Sequence, residues 1–368
     1  MKRVVDIMPY SYLPYYSGGQ KSIAQFLQYL GRITSLDVIT VEENDKTLAR
    51  EYNLVPFLKK GKSKYYDFRL TSVISDHLSA IKATSIIWEH PYYAWLAFRV
   101  RRRTGIKTII HTHNIEHQRF RSLGKWWWPL LKYYERWCFR KADLIFFIAP
   151  EERSFAIDQW KIAPEKCINV PFGVPNEASP ADKLPCKQKI CNELQIAEDT
   201  TLLLFNGLLS YQPNLDAVEY ILKNINPLLN RQMSNYKILI CGKELPATMN
   251  DLREYKNVNI IYAGFVPDIE SYFKAADIFI NPVVRGGGVK TKLIEAIANG
   301  TSSVSTKSGA AGVEKQSCGN KLTVVSDNDW EGFVRAIVSC SSMNQPTPQL
   351  FYDTYHWGNI AKRVEQYL

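Results

Sequence analysis

The chain of 368 residues carries a net charge of +10, with 46% hydrophobic and 22% charged residues. This composition excludes disordered and fibrous proteins, and the length suffices for two domains with separate cores. The seven cysteines are scattered and odd in number, which argues against a disulfide framework and against a cysteine-ligated zinc site. The positive charge favours phosphate-rich partners: a nucleotide, an anionic lipid or a nucleic acid.

The start of the chain predicts a protein that stays in the cytoplasm. Residues 4–8 form an apolar run broken by Asp6, which indicates a first strand rather than a secretory signal. No apolar run approaches the roughly 18 residues that a membrane span requires.

The first half of the chain is predicted to alternate strands with helices. Strands are predicted at 4–8, 36–39, 85–88, 108–110 and 144–148. A helix follows Gly18 and Gly19, because apolar residues from Ile23 to Leu30 recur at the spacing of one helix face. A second helix is predicted over 129–140. This alternation favours a parallel sheet that is covered on both faces.

Prolines and a glycine in residues 169–176 indicate a linker, after which the same alternation starts again. Strands are predicted at 201–205, 237–241, 259–262, 278–280 and 302–304, and helices at 214–224, 329–338 and 352–368. The predicted domains are 1–172 and 177–345, with a final helical segment at 346–368.

The most informative stretch is a glycine loop between the strand at 278–280 and the helix that follows it. Gly286, Gly287 and Gly288 allow the backbone to approach a ligand closely, and the helix start offers free N–H groups. Lys290 and Lys292 add full positive charges. With the carboxylate of Glu295 further along, this arrangement suits a nucleoside diphosphate and its ribose. An ordinary structural turn and a solvated helix carboxylate are the alternatives.

Several further stretches resemble the group 1 retaining glycosyltransferases of the GT-B architecture. In the second half they are 205–207, 240–243, 263–268, 275–278 and 281–300; in the first half, 16–19, 112–116, 140–144 and 171–174. The resemblance covers nearly the whole chain. It implies an α/β fold of two Rossmann-like parallel-sheet domains facing a central cleft, with the last helix returning to the first domain.

The resemblance also implies the reaction: a sugar moves from a nucleotide-sugar to a hydroxyl acceptor with retained anomeric configuration, and neither a metal nor a cofactor is required. The residues it implies as catalytic are His113 on the transferred sugar, Lys292 on the departing phosphate and Glu295 on the ribose. The implied donor-binding residues are Gly18, Gly19, Asn206, Gly207, Gly264, Phe265, Val266, Gly286, Gly287, Gly288, Val289 and Lys290. A histidine at a strand end is also common as a satisfied polar residue, and His111 and His117 lie nearby.

The chain departs from the family pattern at two places. Gly287 occupies the position where many members carry a second glutamate. The basic pair expected after the first strand of the second domain is missing, and Pro213-Asn214 stands in that region. Lys292 is therefore expected to take over the phosphate role.

Residues 99–134 combine arginines and lysines with Trp126, Trp127 and Trp128. Such a mixture suits an anionic membrane surface, single-stranded nucleic acid or an ordinary helix with aromatic core contacts. Since lipid-linked acceptors are common in the family, we expect a saccharide or lipid-linked saccharide acceptor. We also expect peripheral attachment at the inner face of the cell membrane and no nucleic acid partner.

Two other functions remain open at this level: a nucleotide-sugar epimerase of the same fold, and a partner that binds a nucleotide-sugar without turnover. A nicotinamide dehydrogenase is disfavoured, because neither half has Gly-x-Gly-x-x-Gly after its first strand. The leading hypothesis is a glycosyltransferase of cell-surface polysaccharide or glycolipid assembly.

Overall fold

The computed structural model describes residues 1–16, 18–340 and 345–368. Ser17, which precedes the predicted amino-terminal glycine loop, lies outside the described residues. The chain forms two compact units: Met1–Pro175 with Tyr355–Leu368 make the first, and Asn176–Thr354 make the second.

The first unit contains a parallel sheet of seven strands. The strands are β1 (Arg3–Ile7), β2 (Ser35–Val41), β3 (Asn53–Leu58), β4 (Ser85–Glu89), β5 (Lys107–Thr112), β6 (Leu144–Phe147) and β7 (Cys167–Asn169). The helices are α1 (Gly18–Gly31), α2 (Leu70–Ala80), α3 (Ala94–Thr104), α4 (Glu116–Ser122), α5 (Trp128–Lys141) and α6 (Pro150–Trp160). The strand order is β3-β2-β1-β4-β5-β6-β7. The direction of winding therefore reverses between β1 and β4, as in doubly wound nucleotide-binding folds.

The second unit repeats this plan with six parallel strands. The strands are β8 (Thr201–Asn206), β9 (Tyr236–Cys241), β10 (Ile260–Gly264), β11 (Ile278–Asn281), β12 (Ser302–Thr306) and β13 (Leu322–Val325). The helices are α7 (Lys183–Leu194), α8 (Gln212–Tyr220), α9 (Asn226–Leu229), α10 (Ile269–Ala275), α11 (Thr291–Ala298), α12 (Lys315–Cys318) and α13 (Trp330–Cys340), and a wide helical turn at Ile221–Ile225 joins α8 to α9. The order is β10-β9-β8-β11-β12-β13, so the reversal falls between β8 and β11. The predicted α/β class with two Rossmann-like parallel sheets is confirmed.

The central strands are apolar on both faces because helices cover both sides of each sheet. All residues of β4 and β11 are buried, and each strand extends one residue beyond its predicted range of 85–88 or 278–280. The edge strand β3 was missed by sequence reasoning, since most of it is only half-buried and it lacks a clear apolar alternation.

The carboxyl-terminal segment is divided between the units. The predicted single helix at 352–368 is two helices, α14 (Gln349–Tyr355) and α15 (Trp357–Glu365), and the part that belongs to the first unit begins at Tyr355 rather than at 346. The Trp357 indole donates to Gln25 Oε1 on α1 at 2.9 Å. A Cβ on Gly173 would lie 2.4 Å from Trp357 Cδ2, so a glycine is required where this ring packs.

Candidate functional site

Most of the predicted donor-binding residues of the second unit gather at the carboxyl edge of its sheet. β8 ends at Asn206 and is followed by Gly207, while the neighbouring β11 leads into the glycine triplet. The two strands flank the point where the strand order reverses, and ligands of open α/β sheets bind at this point.

The glycine triplet is an exposed loop whose conformation needs glycine at two positions. Gly286 has φ +98° and Gly288 has φ +72°, both in the left-handed region. Lys290 Nζ donates to the carbonyl oxygens of all three glycines, at 3.0 Å for Gly286, 3.2 Å for Gly287 and 2.9 Å for Gly288. Because peptide units are planar and trans, the N–H groups that follow these carbonyls point away from Lys290. Burial lowers the pKa of Lys290 to about 8.

Lys292 lies in the first turn of α11 and points to the end of β8. Its Nζ donates to the carbonyl oxygen of Asn206 at 2.9 Å and to Asn214 Oδ1 at 3.1 Å. The ammonium also lies 4.2 Å from the centre of the Phe205 ring. No carboxylate is among its recorded partners within the described residues, and burial, with a smaller effect of Lys290, lowers the pKa of Lys292 to about 7. This buried cation is a candidate for meeting an anion.

Asn214 belongs to the site although it is absent from the predicted set. Its Oδ1 holds Lys292, and its Nδ2 donates to the carbonyl oxygen of Leu208 at 3.0 Å. A Cβ on Gly207 would lie 2.7 Å from Asn214 Nδ2, so Gly207 has a packing reason besides any ligand. The sequence signal was the Pro213-Asn214 pair that replaces the expected basic residues.

Four other predicted positions lie on the same edge of the sheet or further along it. Glu295 lies one turn beyond Lys292 on α11 and is half-buried. Gly264, with φ +64°, ends the edge strand β10. Phe265 is 68% exposed and is followed by the half-buried Val266, so its ring is available to stack on a flat ligand.

In the first unit, Gly18 and Gly19 are exposed at the start of α1. This helix follows β1, one of the two strands that flank the reversal of that sheet. The other is β4, which ends at Glu89. His113 follows the next strand, β5.

The sheet register brings a carboxylate and two histidines together. Glu89 is paired with His111, and His113 projects to the same face because side chains alternate along an extended chain. Glu89 Oε1 accepts from His111 Nδ1 at 2.8 Å, and Glu89 Oε2 forms a short contact with His113 Nε2. The side chains of Glu89, His111 and His113 are 0%, 6% and 11% exposed. Although burial opposes it, these histidines hold the pKa of Glu89 far below its usual range.

Asp6 on β1 completes the buried cluster. Its carboxyl group is in contact with that of Glu89, and a hydrogen bond between the two requires a proton on one of them. Burial, and then the neighbouring Glu89, raise the pKa of Asp6 well above its usual value. Of the two carboxyl groups, Glu89 therefore carries the charge and Asp6 is neutral.

His90 extends the cluster from the other side of His113. Their ring centres are 4.3 Å apart, and His90 Nε2 lies 2.9 Å from the Tyr10 hydroxyl. Its Nδ1 lies 3.3 Å from Glu116 Oε1, without good hydrogen-bond geometry. His90 has φ +65°, an uncommon conformation for a residue with a side chain and one that is often found at functional sites.

The three histidines near the predicted motif have different surroundings. His117 Nδ1 is hydrogen-bonded to Glu135 Oε2 at 2.8 Å. His117 is buried and does not belong to the cluster around Glu89. His111 is buried, and His113 is the more exposed of the pair on Glu89. The ligand atoms of Glu89, His111 and His113 lie within 4.8 Å of one another, a spacing that would also admit a metal ion. Within each unit the predicted residues thus gather near the carboxyl edge of the sheet.

Two family models match the chain, one in each unit. "Glycosyltransferase Family 4" matches residues 16–177, and "Glycosyl transferases group 1" matches residues 200–342. A curated relative, the "Uncharacterized 44.6 kDa protein in cps region" of Klebsiella pneumoniae, is 26% identical over 131 residues, which is 34% of each chain. The match therefore spans about a third of that protein.

Solved structures match over the whole length. A glycosyltransferase from Rickettsia africae ESF-5 has a TM-score of 0.72 at 14% identity and covers 100% of this chain and 97% of its own. Anabaena HepE in complex with UDP has a TM-score of 0.70 at 12% identity, covering 100% and 99%. The lipopolysaccharide outer core galactosyltransferase WaaB has 0.66 at 12%, covering 100% of both. At these identities the likeness establishes the fold alone.

Proposed function

Because this chain belongs to the group 1 glycosyltransferases, we propose that it transfers a sugar from a nucleotide-sugar donor to a hydroxyl acceptor. In this proposal the anomeric configuration is retained and no metal or cofactor takes part. The observation that carries it is the buried ammonium of Lys292 beside the glycine triplet, at the switch point of the second sheet.

The leaving group explains what Lys292 would do. When the glycosidic bond breaks, negative charge develops on an oxygen of the departing nucleoside diphosphate. A cation that is already in place stabilises this charge without reorganisation at the moment of reaction. Lys292 is held by Asn206 and Asn214 rather than by a carboxylate, so its charge is available to the phosphate. Lys290 and the glycine N–H groups would add to the same field.

The remaining contacts follow from the donor's parts. Glu295 would accept hydrogen bonds from the ribose hydroxyls, and Phe265 with Gly264 and Val266 would contact the base. Asn206, Gly207 and Val289 would line the diphosphate, and Gly18 and Gly19 keep their predicted role in donor binding. His113 would contact the transferred sugar. HepE has been crystallised with UDP and with UDP-glucose, so uridine conjugates are the first donors to test.

We predict that one nucleotide-sugar raises the melting temperature of the protein and that Glu295→Ala removes most of the rise. At a ligand concentration 100 times Kd, binding stabilises the folded state by about 2.7 kcal/mol, or roughly 5–10 °C for a domain of this size. UDP, GDP, ADP, CMP and dTDP are screened alone and as sugar conjugates, with and without EDTA.

Two comparisons sharpen this test. A 2′-deoxyribose analogue should bind the native protein more weakly than its parent, whereas Glu295→Ala should no longer distinguish the two. Glu193→Ala, which changes an exposed glutamate on α7, is the matched control and should keep the full shift. No shift with any nucleotide, or an unchanged shift in Glu295→Ala, would contradict the donor site; loss of binding on addition of EDTA would contradict metal independence.

The products separate the proposed transferase from its two alternatives. A transferase releases nucleoside diphosphate at a rate that depends on an acceptor, an epimerase converts the donor sugar without an acceptor, and a binding partner leaves the donor intact. The Klebsiella relative is named for a cps region. This name and the WaaB likeness support saccharide or lipid-linked saccharide acceptors of cell-surface assembly.

We further propose peripheral attachment to an anionic membrane through the surface around α5. None of the helices in the described chain is long and apolar enough to cross a membrane. Trp126, Leu130 and Tyr133 are 82%, 67% and 72% exposed, and Leu130 and Tyr133 share one helix face. Trp127 packs on Phe120 instead. Lysines and arginines around these exposed side chains would be attracted to anionic lipid, by about 1 kcal/mol each.

This attachment predicts sedimentation of the protein with vesicles that contain anionic lipid and not with neutral vesicles. Leu130→Ser combined with Trp126→Ser should reduce the bound fraction several-fold, since each removes apolar area from the interface. Leu184→Ser is the matched control, because Leu184 on α7 is similarly exposed at 65%. Equal binding to neutral vesicles, or equal loss in the control, would contradict the assignment.

A further inference from the structure

Glu89 is the one carboxylate in the described chain whose two oxygens each face a different histidine of the β5 strand end. It is fully buried at the end of β4 and has His111 on Oε1 and His113 on Oε2. The family match and the motif at 112–116 assign it no role. These contacts determine which ring nitrogen of His113 faces Glu89 and which is left for a ligand.

We propose that Glu89 is the positioning residue that fixes the His113 ring and leaves its Nδ1 as a hydrogen-bond acceptor for a hydroxyl of the transferred sugar. The role of Glu89 follows from the first unit alone. The identity of the hydroxyl rests on the proposed function, because only a nucleotide-sugar donor brings a sugar to this histidine.

The tautomer follows from the hydrogen bonds. An ionised carboxylate only accepts, so the nitrogens that face Glu89, His111 Nδ1 and His113 Nε2, both carry a proton. A neutral imidazole has one N–H, and the other nitrogen then holds a lone pair. His113 Nδ1 has no recorded hydrogen bond within the described residues, and the ring is partly exposed. In the neutral ring this nitrogen is an acceptor, and it would bind a hydroxyl of the sugar.

Asp6 supports this arrangement through its contact with Glu89. It lies next to Glu89, and two buried carboxyl groups in contact do not both ionise. Glu89 has an imidazole nitrogen on each oxygen and Asp6 has none, so the charge lies on Glu89. A buried hydrogen bond to a charged group is stronger than a neutral one.

Two neighbouring rings pack against the His113 ring. The rings of His90 and His111 lie 4.3 Å and 4.8 Å from it. His90 is in turn held at φ +65° by its backbone N–H, which donates to the carbonyl oxygen of His111 at 2.8 Å, and by Tyr10. The uncommon backbone conformation of His90 is thus maintained directly beside the His113 ring.

A metal ion could occupy the same three groups, and the two arrangements differ in where the protons are. In this structure each oxygen of Glu89 already meets one imidazole nitrogen, so both carboxylate oxygens are satisfied without an ion, while the buried His111 Nε2 has no hydrogen-bond partner in the described chain. A metal would replace both protons and leave no N–H on the nitrogens that face Glu89.

The test combines histidine-selective ¹⁵N NMR of the full chain with kinetics of Glu89→Gln. We expect the native protein to show His113 as the neutral Nε2–H tautomer, and Glu89→Gln to lose this single pattern. The kcat of sugar transfer should fall about 10- to 100-fold, with a smaller change in KM. Among monodeoxy analogues of the donor sugar, the native enzyme should react more slowly with the one that lacks the hydroxyl bound by His113. In Glu89→Gln this contact is already impaired, so the rate with that analogue should differ little from the rate with the full sugar.

Glu135→Gln is the matched control, because Glu135 is equally buried and accepts from His117. It is expected to lower stability without changing the His113 tautomer or the preference among deoxy analogues. A doubly protonated or Nδ1–H His113, an unchanged tautomer in Glu89→Gln, or one zinc ion per chain bound to His113 would overturn the proposal. Absence of transfer with every donor would contradict the proposed function and not the NMR result, so the two failures are distinguishable.

Discussion

Replacing Lys292 with methionine is expected to lower kcat for sugar transfer by about 10²–10³-fold, the usual effect of removing one group that stabilises transition-state charge. Methionine keeps the length and apolar contact of the side chain, including its packing on Phe205. It removes the charge and the two hydrogen bonds to Asn206 and Asn214. The variant therefore isolates the electrostatic contribution better than alanine would.

The loss should fall on kcat more than on KM. The donor diphosphate is negative before the reaction, but the charge on the leaving oxygen grows as the glycosidic bond breaks, so the cation binds the transition state more strongly than the ground state. Steady-state kinetics with saturating acceptor measure this directly. Lys237→Met is the control, since Lys237 is hydrogen-bonded to Asn259 at the amino ends of the strands, the edge of the sheet opposite to the site. A loss of less than tenfold, or one confined to KM, would remove Lys292 from the catalytic set.

Donor binding is expected to weaken by up to tenfold per pH unit as the pH rises above about 7, because Lys292 must gain a proton to meet the diphosphate. Burial sets its pKa at about 7 in the free protein, and that of Lys290 at about 8. Two phosphate charges favour the ammonium form and raise both pKa values in the complex. Binding therefore takes up protons between the free and the bound pKa, and affinity is highest below pH 7.

Stability of the free protein should respond with the opposite sign. A lysine whose pKa is lowered in the folded state takes up its proton in the unfolded chain first, over the range from its ordinary value of 10.5 down to about 7. Its contribution to stability is thus fully present above 10.5 and is lost as the pH falls through this range. The difference in melting temperature between the native protein and Lys292→Met isolates this contribution.

Calorimetric titration with a nucleotide-sugar in two buffers of different ionisation enthalpy counts the protons taken up. The sugar conjugate is used because its diphosphate does not titrate in this range. Asn214→Asp is the informative variant: it places a carboxylate where Oδ1 now lies 3.1 Å from Lys292 Nζ, so the pKa of Lys292 should rise and the pH break should move upward. Proton-independent binding from pH 6.5 to 9.5 would contradict the proposed contact.

Local patterns in the sequence were enough to predict the fold and part of the site. Apolar runs at 201–205 and 278–280 are strands because both faces of a parallel sheet are covered, and these runs were found. The exposed edge strand β3 and the division of the last helix were missed, since half-buried edges and short helices leave weak periodicity.

The site shows the same limit in its polar contacts. Lys290 and the glycine triplet are neighbours in sequence, and their role in a loop was predicted, but the closure of Lys290 onto the three carbonyls was not. Asn214 was noted as part of its motif, and neither Asn214 nor Glu89 had a predicted partner. Whether Lys292, Glu295 and His113 act as proposed stays a prediction.

By itself, the sequence determined the alternation of strands and helices, the glycine loop with its two lysines, and the family resemblance, because these depend on residues within about 15 positions of one another. Only the tertiary structure decided that Asn214 holds Lys292, 78 positions away, and that Glu89 lies between two histidines more than 20 positions along the chain. Parallel strands bring the ends of distant segments to one edge of a sheet. Register and strand order therefore select which polar groups meet there, and neither is encoded in local periodicity.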